Sequence, residues 1–151
     1  MRLIIRKKNA RLNPERIPVR AVNMNIKKFN ILFAWCLVFG YASVIFYFSS
    51  LSHPLSREVA SYDKILHAIE YFFFAILIFR AFETLDFKLS RKFIIVIAVT
   101  SATFYGLTDE IHQSFTPSRS MSAFDLLFDF FGSILGVMVY NKIKYGNNKI
   151  V

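Results

Sequence analysis

Asp109–Gly136 reads DEIHQSFTPSRSMSAFDLLFDFFGSILG, and the placement of its charges decides what kind of protein this is. It begins where a sixteen-residue uncharged run, Phe93–Thr108, ends. Two acids, a histidine, a glutamine and an arginine fall within its first eleven positions. It then turns back into apolar sequence that still carries Asp125 and Asp129. Acids set between and inside apolar runs are costly unless they have a partner or a use.

The chain around this stretch is apolar in runs. Of 151 residues, 55% are hydrophobic and eighteen are Phe, against an ordinary apolar share of roughly 45–50%. Phe29–Ser50 is uncharged and meets the length of about 20 residues that a spanning helix needs. A second run extends from Tyr62 to about Phe82, a third covers Phe93–Thr108 and a fourth roughly Ala123–Tyr140. No strand-like alternation appears, and helices satisfy their backbone groups within one segment of a bilayer. The connections, about Ser52–Tyr62, Glu83–Lys92 and Asp109–Ser122, are short, so successive helices should be antiparallel neighbours. The expected fold is all-α, a polytopic transmembrane four-helix bundle. It divides into a basic cytoplasmic tail (1–28), a four-helix membrane domain (29–142) and a polar C-terminal tail (143–151).

Net charge is +9. Sixteen of the nineteen Lys and Arg fall on one side of the expected bundle: the N-terminal tail, the second-to-third connection and the C-terminal tail. Only Arg57, Lys64 and Arg119 fall on the other. By the positive-inside rule both termini are expected in the cytoplasm, with the Ser52–Tyr62 and Asp109–Ser122 connections facing outward. The positive charge is therefore a topology signal, and without aromatic interleaving it argues against a nucleic-acid partner. Pro14 and Pro18 are expected to break any long helix in the tail. Met24-Asn25-Ile26-Lys27-Lys28 resembles a natural start, a short basic lead into a hydrophobic helix. The single cysteine, Cys36, excludes an intrachain disulfide and a cysteine zinc site and reads as a packing residue.

Helical spacing gathers the ionisable groups. Asp63, His67 and Glu70 form a stripe at the outer end of the second helix, with Lys64 and Tyr71 beside it. If the third helix continues through its acids, Asp109, His112 and Gln113 share a face and Glu110 lies to one side. Pro117 ends it, Arg119 follows in a turn, and Ser120 or Ser122 can cap the fourth helix. Asp125, Asp129, Gly132 and Gly136 fall at i, i+4, i+7 and i+11 on one stripe, and Gly132-x-x-x-Gly136 is a small-residue motif for close helix approach. Each feature has an ordinary explanation when taken singly: a packing histidine, snorkelling bases, capping acids. Their convergence at one membrane face favours a polar pocket lined by helices two, three and four.

His67, His112 and the carboxylates are suitable zinc or manganese ligands. No HExxH or tight His pair is present, so no metal is assigned, and the cofactor is unknown. For acid–base chemistry the candidates are His67, Glu110 and Asp63. For ligand binding they are Lys64, Glu70, Tyr71, Asp109, His112, Gln113, Arg119, Asp125 and Asp129.

The chain also resembles the VanZ-like membrane proteins, a family named for a teicoplanin resistance protein. Asp63-Lys64-x-x-His67-x-x-x-Tyr71 matches one family motif. Asp109-Glu110-x-x-Gln113-x-Phe115-x-Pro117-x-Arg119 matches a second. Asp125-x-x-x-Asp129-x-x-Gly132-x-x-x-Gly136 matches a third, with Asp129 where the pattern often has Asn. The resemblance covers roughly residues 30–142. It implies a four-helix bacterial envelope domain linked to lipoglycopeptide tolerance, and no settled reaction. Three functions follow from the residues. The outer site binds lipid head groups or cell-wall precursors; or it catalyses a reaction on a lipid-linked phosphate or sugar; or Glu70, His67 and Asp129 belong to a small transporter.

Overall fold

A computed structural model of the chain describes residues 16–51, 57–85, 88–117 and 119–146. The side chains of 16–21, 57–61 and 63 are outside that description, as are residues 52–56, 86–87, 118 and both extreme termini. The described residues form four helices and no strand: α1 (Arg16–Ser49), α2 (Arg57–Thr84), α3 (Arg91–Gln113) and α4 (Ala123–Tyr145). All four contain a stretch long and apolar enough to cross a bilayer.

The helix limits follow from local chemistry. α1 reaches back to Arg16, well before the charge-free run, and Pro18 does not break it. Pro18 is the third helical residue, where the missing N–H has no intrahelical acceptor to lose. α2 likewise begins five residues ahead of the expected Tyr62. Ser90 caps α3, its hydroxyl accepting from Phe93 N at 3.3 Å. α3 does continue through Asp109 and Glu110 to Gln113. A tight turn then closes it, Thr116 N donating to Gln113 O at 2.9 Å, just before Pro117.

Ser122 caps α4, its Oγ accepting from Asp125 N at 3.3 Å. In an ordinary capping box the acid three residues on would return to the cap's own N–H. Here Glu110 of α3 takes that role instead, its Oε2 accepting from Ser122 N at 2.7 Å. Asp125 is released from the cap and sits in the first turn, where the helix dipole favours a negative charge.

The helices run up-down-up-down, so α2 and α4 are parallel. They form the most extensive helix pair, and glycine makes it possible. A Cβ at Gly132 would overlap the Ala68 carbonyl, and one at Gly136 the Phe72 carbonyl. The two backbones touch, as in small-residue membrane interfaces. α3 offers a small-residue face of its own, with Ala98, Ala102 and Gly106 all buried. Phe74, Ala75, Ile78, Phe79 and Val137 fill the middle of the bundle.

α1 is peripheral. It lies along α2, touches α3 lightly, and only 11% of its apolar window is buried. Phe29, Leu32, Phe39 and Phe48 are among many large side chains it exposes, a surface that suits lipid and not water. Trp35 meets Phe82 edge-on at 5.5 Å, Tyr41 stacks on Phe74 at 6.0 Å, and the Tyr105 hydroxyl donates to Ala42 O at 2.7 Å. At the basal end, where α2 and α4 finish, Lys144 Nζ pairs with Glu83 Oε2 at 2.7 Å and the Tyr145 hydroxyl bonds Glu83 Oε1. Arg91 lies over the Tyr145 ring at 3.9 Å.

Candidate functional site

The opposite end, the mouth, is where the buried charge collects. α2 turns His67, Tyr71, Phe74 and Ile78 inward at i, i+4, i+7 and i+11. α3 turns Gly106, Asp109, Glu110 and Gln113 inward, and α4 turns Asp125, Asp129 and Ser133. Glu110, Asp129 and Tyr71 are 0% exposed and His67 is 4% exposed. Such burial of acids in a membrane bundle demands partners or a ligand.

Some partners are present. His67 Nδ1 lies 3.0 Å from Asp129 Oδ1. An ionised carboxylate only accepts, so Nδ1 carries the proton, and in the neutral ring Nε2 keeps its lone pair. Tyr71 supports the imidazole from one helical turn on, its ring nearly parallel at 6.4 Å between centroids. Gln113 Nε2 donates to Asp109 Oδ2 at 2.8 Å, and the cap of α4 holds Glu110 through Oε2. Other atoms have no hydrogen-bond partner among the described residues: Asp109 Oδ1, Glu110 Oε1, Asp125 Oδ1, Asp129 Oδ2 and the Tyr71 hydroxyl.

Gly106 makes the Asp129 position possible. A Cβ there would lie 2.6 Å from Asp129 Oδ2 and 3.2 Å from Tyr71 Cε1. The backbone of α3 thus leaves room for the carboxylate between α2 and α3. Donor atoms of His67, Glu110 and Asp125 all lie within 4.8 Å of one another, so three helices bring one imidazole and two carboxylates to a single point. These are the residues that could hold a metal.

Not every candidate joins this cluster. His112 faces α1: its ring is 4.3 Å from that of Phe46 and its Nε2 is 3.0 Å from Ser50 Oγ. Glu110, expected to one side, takes the inward position in its place. Lys64 is half-buried at the rim, 5.7 Å over the Phe124 ring. Arg119 is also half-buried, its Nη1 reaching the Ser49 carbonyl at 3.5 Å. Glu70 is half-buried on the flank of α2. Asp63 lies in α2, and its side chain is outside the described residues.

Gly106, the Ser122 backbone N–H and the Ser49 carbonyl are parts of the mouth that sequence reasoning passed over. Ala98-x-x-x-Ala102-x-x-x-Gly106 is a visible small-residue ladder one step short of Glu110, and it marks the inward face of α3. The two backbone groups carry no sequence signal.

Comparison with known proteins agrees with this architecture. A search of curated proteins and one of solved structures return no match. The model of the VanZ/LLP1 family matches residues 14–144, which include every described site residue. With its four spanning helices and its three motifs gathered at one mouth, the chain belongs to the VanZ/LLP1 family.

Proposed function

We propose that this protein sits in a bacterial plasma membrane with its termini in the cytoplasm, and that its mouth binds the head group of a lipid or lipid-linked cell-wall precursor at the outer leaflet. Among the described side chains the basal end carries Lys27, Lys28, Arg80, Lys88, Arg91, Lys92, Lys142 and Lys144, whereas the mouth carries Lys64 and Arg119; that asymmetry supports this orientation. The observation that carries the proposal is the convergence of His67, Glu110, Asp125 and Asp129 from three helices, rimmed by Lys64 and Arg119. A phosphate reaching the rim meets cations there, and its hydroxyl-bearing neighbours meet acceptors within. Such a role in handling wall precursors fits the family's link to teicoplanin resistance.

Lys64→Ala and Arg119→Ala should each weaken binding of an anionic lipid, and the pair should lose it. Native mass spectrometry in a defined lipid mixture reads this directly. Equal retention of anionic and zwitterionic lipid by wild-type protein would sink the proposal.

A second reading is favoured by one observation, the buried His67–Asp129 pair. A carboxylate that fixes the tautomer and orientation of an imidazole is how acid–base histidines are built. In that case His67 exchanges a proton with a lipid-linked phosphate or sugar and Glu110 is the adjacent acid. His67→Gln should then abolish the cellular phenotype of the gene at unchanged protein level and helicity, a loss of at least about 100-fold in any assigned turnover. Full function in that variant removes the catalytic reading and leaves the binding one standing.

A further inference from the structure

We propose that the mouth holds a divalent transition cation, Zn²⁺ or Mn²⁺, on His67 Nε2, Glu110 and Asp125. The proposal goes beyond head-group binding and does not depend on it.

The first support is geometric. The three donor groups come from α2, α3 and α4 and lie within 4.8 Å of one another. Donors around a tetrahedral zinc stand roughly 3.3 Å apart, given bonds of about 2.0 Å. The difference is within the reach of side-chain rotation about His67, Glu110 and Asp125. The second support is that the acids are not already used up. Glu110 is 0% and Asp125 9% exposed, yet Glu110 Oε1 and Asp125 Oδ1 have no partner among the described residues.

The third is the dress of the histidine. Metal-bound imidazoles nearly always donate their other ring N–H to a carboxylate or carbonyl, which fixes the tautomer and raises basicity. His67 does this through Nδ1 to Asp129, 3.0 Å away and fully buried. Asp129 is thus a positioning residue. Gly106 is part of the same device, since any side chain there would push the Asp129 carboxylate off the ring. The cap contact at Glu110 Oε2 plays the equivalent part for the second ligand, holding one oxygen and presenting the other.

The donor chemistry selects the ion. One imidazole with two carboxylates suits zinc or manganese better than magnesium or calcium, which prefer all-oxygen shells. Three protein ligands leave an open coordination position, the arrangement of catalytic rather than structural zinc sites. The cation also accounts for the buried charge: it neutralises two carboxylates that otherwise face each other in the low-dielectric end of the bundle.

The test uses the full-length protein purified in mild detergent without added lipid. After chelator treatment and dialysis, Mn²⁺ is titrated and binding followed by electron paramagnetic resonance, with metal content measured in parallel. Wild-type protein should bind one ion per chain saturably. Glu110→Gln and Asp125→Asn should lose that site, Asp129→Asn should bind about 10–100-fold more weakly, and Glu83→Gln, at the basal end, should match wild type.

Should an acid variant fail to fold, the wild-type protein supplies its own readout. Electron spin echo of the bound Mn²⁺ should show modulation from a directly coordinated imidazole nitrogen, absent in His67→Gln. The proposal is overturned if wild-type protein shows no saturable binding at millimolar Mn²⁺ or Zn²⁺. It is equally overturned if folded Glu110→Gln and Asp125→Asn bind as wild type does, or if the echo shows no imidazole nitrogen. Because no lipid is present, these outcomes are separate from the anionic-lipid result for Lys64 and Arg119.

Discussion

Replacing Gly136 with leucine should leave little folded protein in the membrane, while the same change at Gly40 passes unnoticed. Both glycines sit in helices apolar enough to cross a bilayer, and composition alone does not say which of them is needed. A Cβ at Gly40 meets nothing within 4 Å, whereas one at Gly136 runs into the Phe72 carbonyl. A side chain can rotate away from an intruding methyl; a helical carbonyl cannot. Alanine at Gly136 should therefore cost at the upper end of the usual overpacking range of about 1–3 kcal/mol. Leucine should force α4 off α2 altogether, against a total stability of only about 5–15 kcal/mol for a typical domain. The measurement is the unfolding midpoint on titrating a harsh detergent into a mild one, with membrane abundance alongside. If Gly136→Leu unfolds at the midpoint of Gly40→Leu, the backbone contact between α2 and α4 is not what holds the bundle.

The second large effect is expected at Asp129, and its sign depends on the replacement. Asparagine keeps an oxygen that accepts from His67 Nδ1, and the family motif often has Asn there, so Asp129→Asn should fold normally. Asp129→Leu removes the acceptor and leaves the imidazole N–H buried and unpaired. An orphaned buried donor costs about 1–3 kcal/mol. Breaking a buried pair that was ionic costs about 3–5 kcal/mol. Unfolding midpoints of the three proteins decide this. Leucine and asparagine variants of equal stability would mean that the 3.0 Å contact contributes nothing.

Much of this was legible in the sequence, for identifiable reasons. Four apolar runs separated by short polar connections leave few alternatives to an up-down bundle, and Gly132 with Gly136 marked α4 as the helix drawn in close. The polar end was legible because Asp63–Tyr71, Asp109–Arg119 and Asp125–Asp129 all fall at the same end of their helices. Less legible was which face of α3 turns inward. Spacing alone allows Asp109 to pair with either His112 or Glu110; the small-residue ladder from Ala98 to Gly106 decides for Glu110. The start of α1 was missed because Pro18 reads as a breaker until its place in the first turn is known. Nor does the sequence reveal that α1 is peripheral. In a bilayer, lipid-facing and helix-facing surfaces are equally apolar, so Phe29–Ser50 looks as buried as any other run.

The parallel pairing of α2 with α4 has a consequence for how the protein is made. Chains emerge from the ribosome N-terminus first, and His67 is threaded into the bilayer while Asp129, 62 residues behind it, has yet to be synthesised. α3 follows with Asp109 and Glu110, the latter still lacking the Ser122 N–H that it will cap. Until the last helix arrives, His67 and Glu110 stand in or near hydrocarbon without their final partners. The finished mouth is thus assembled in a single late step, when α4 slides its glycines along Ala68 and Phe72. The polar contacts of the mouth therefore depend on the helix that is made last.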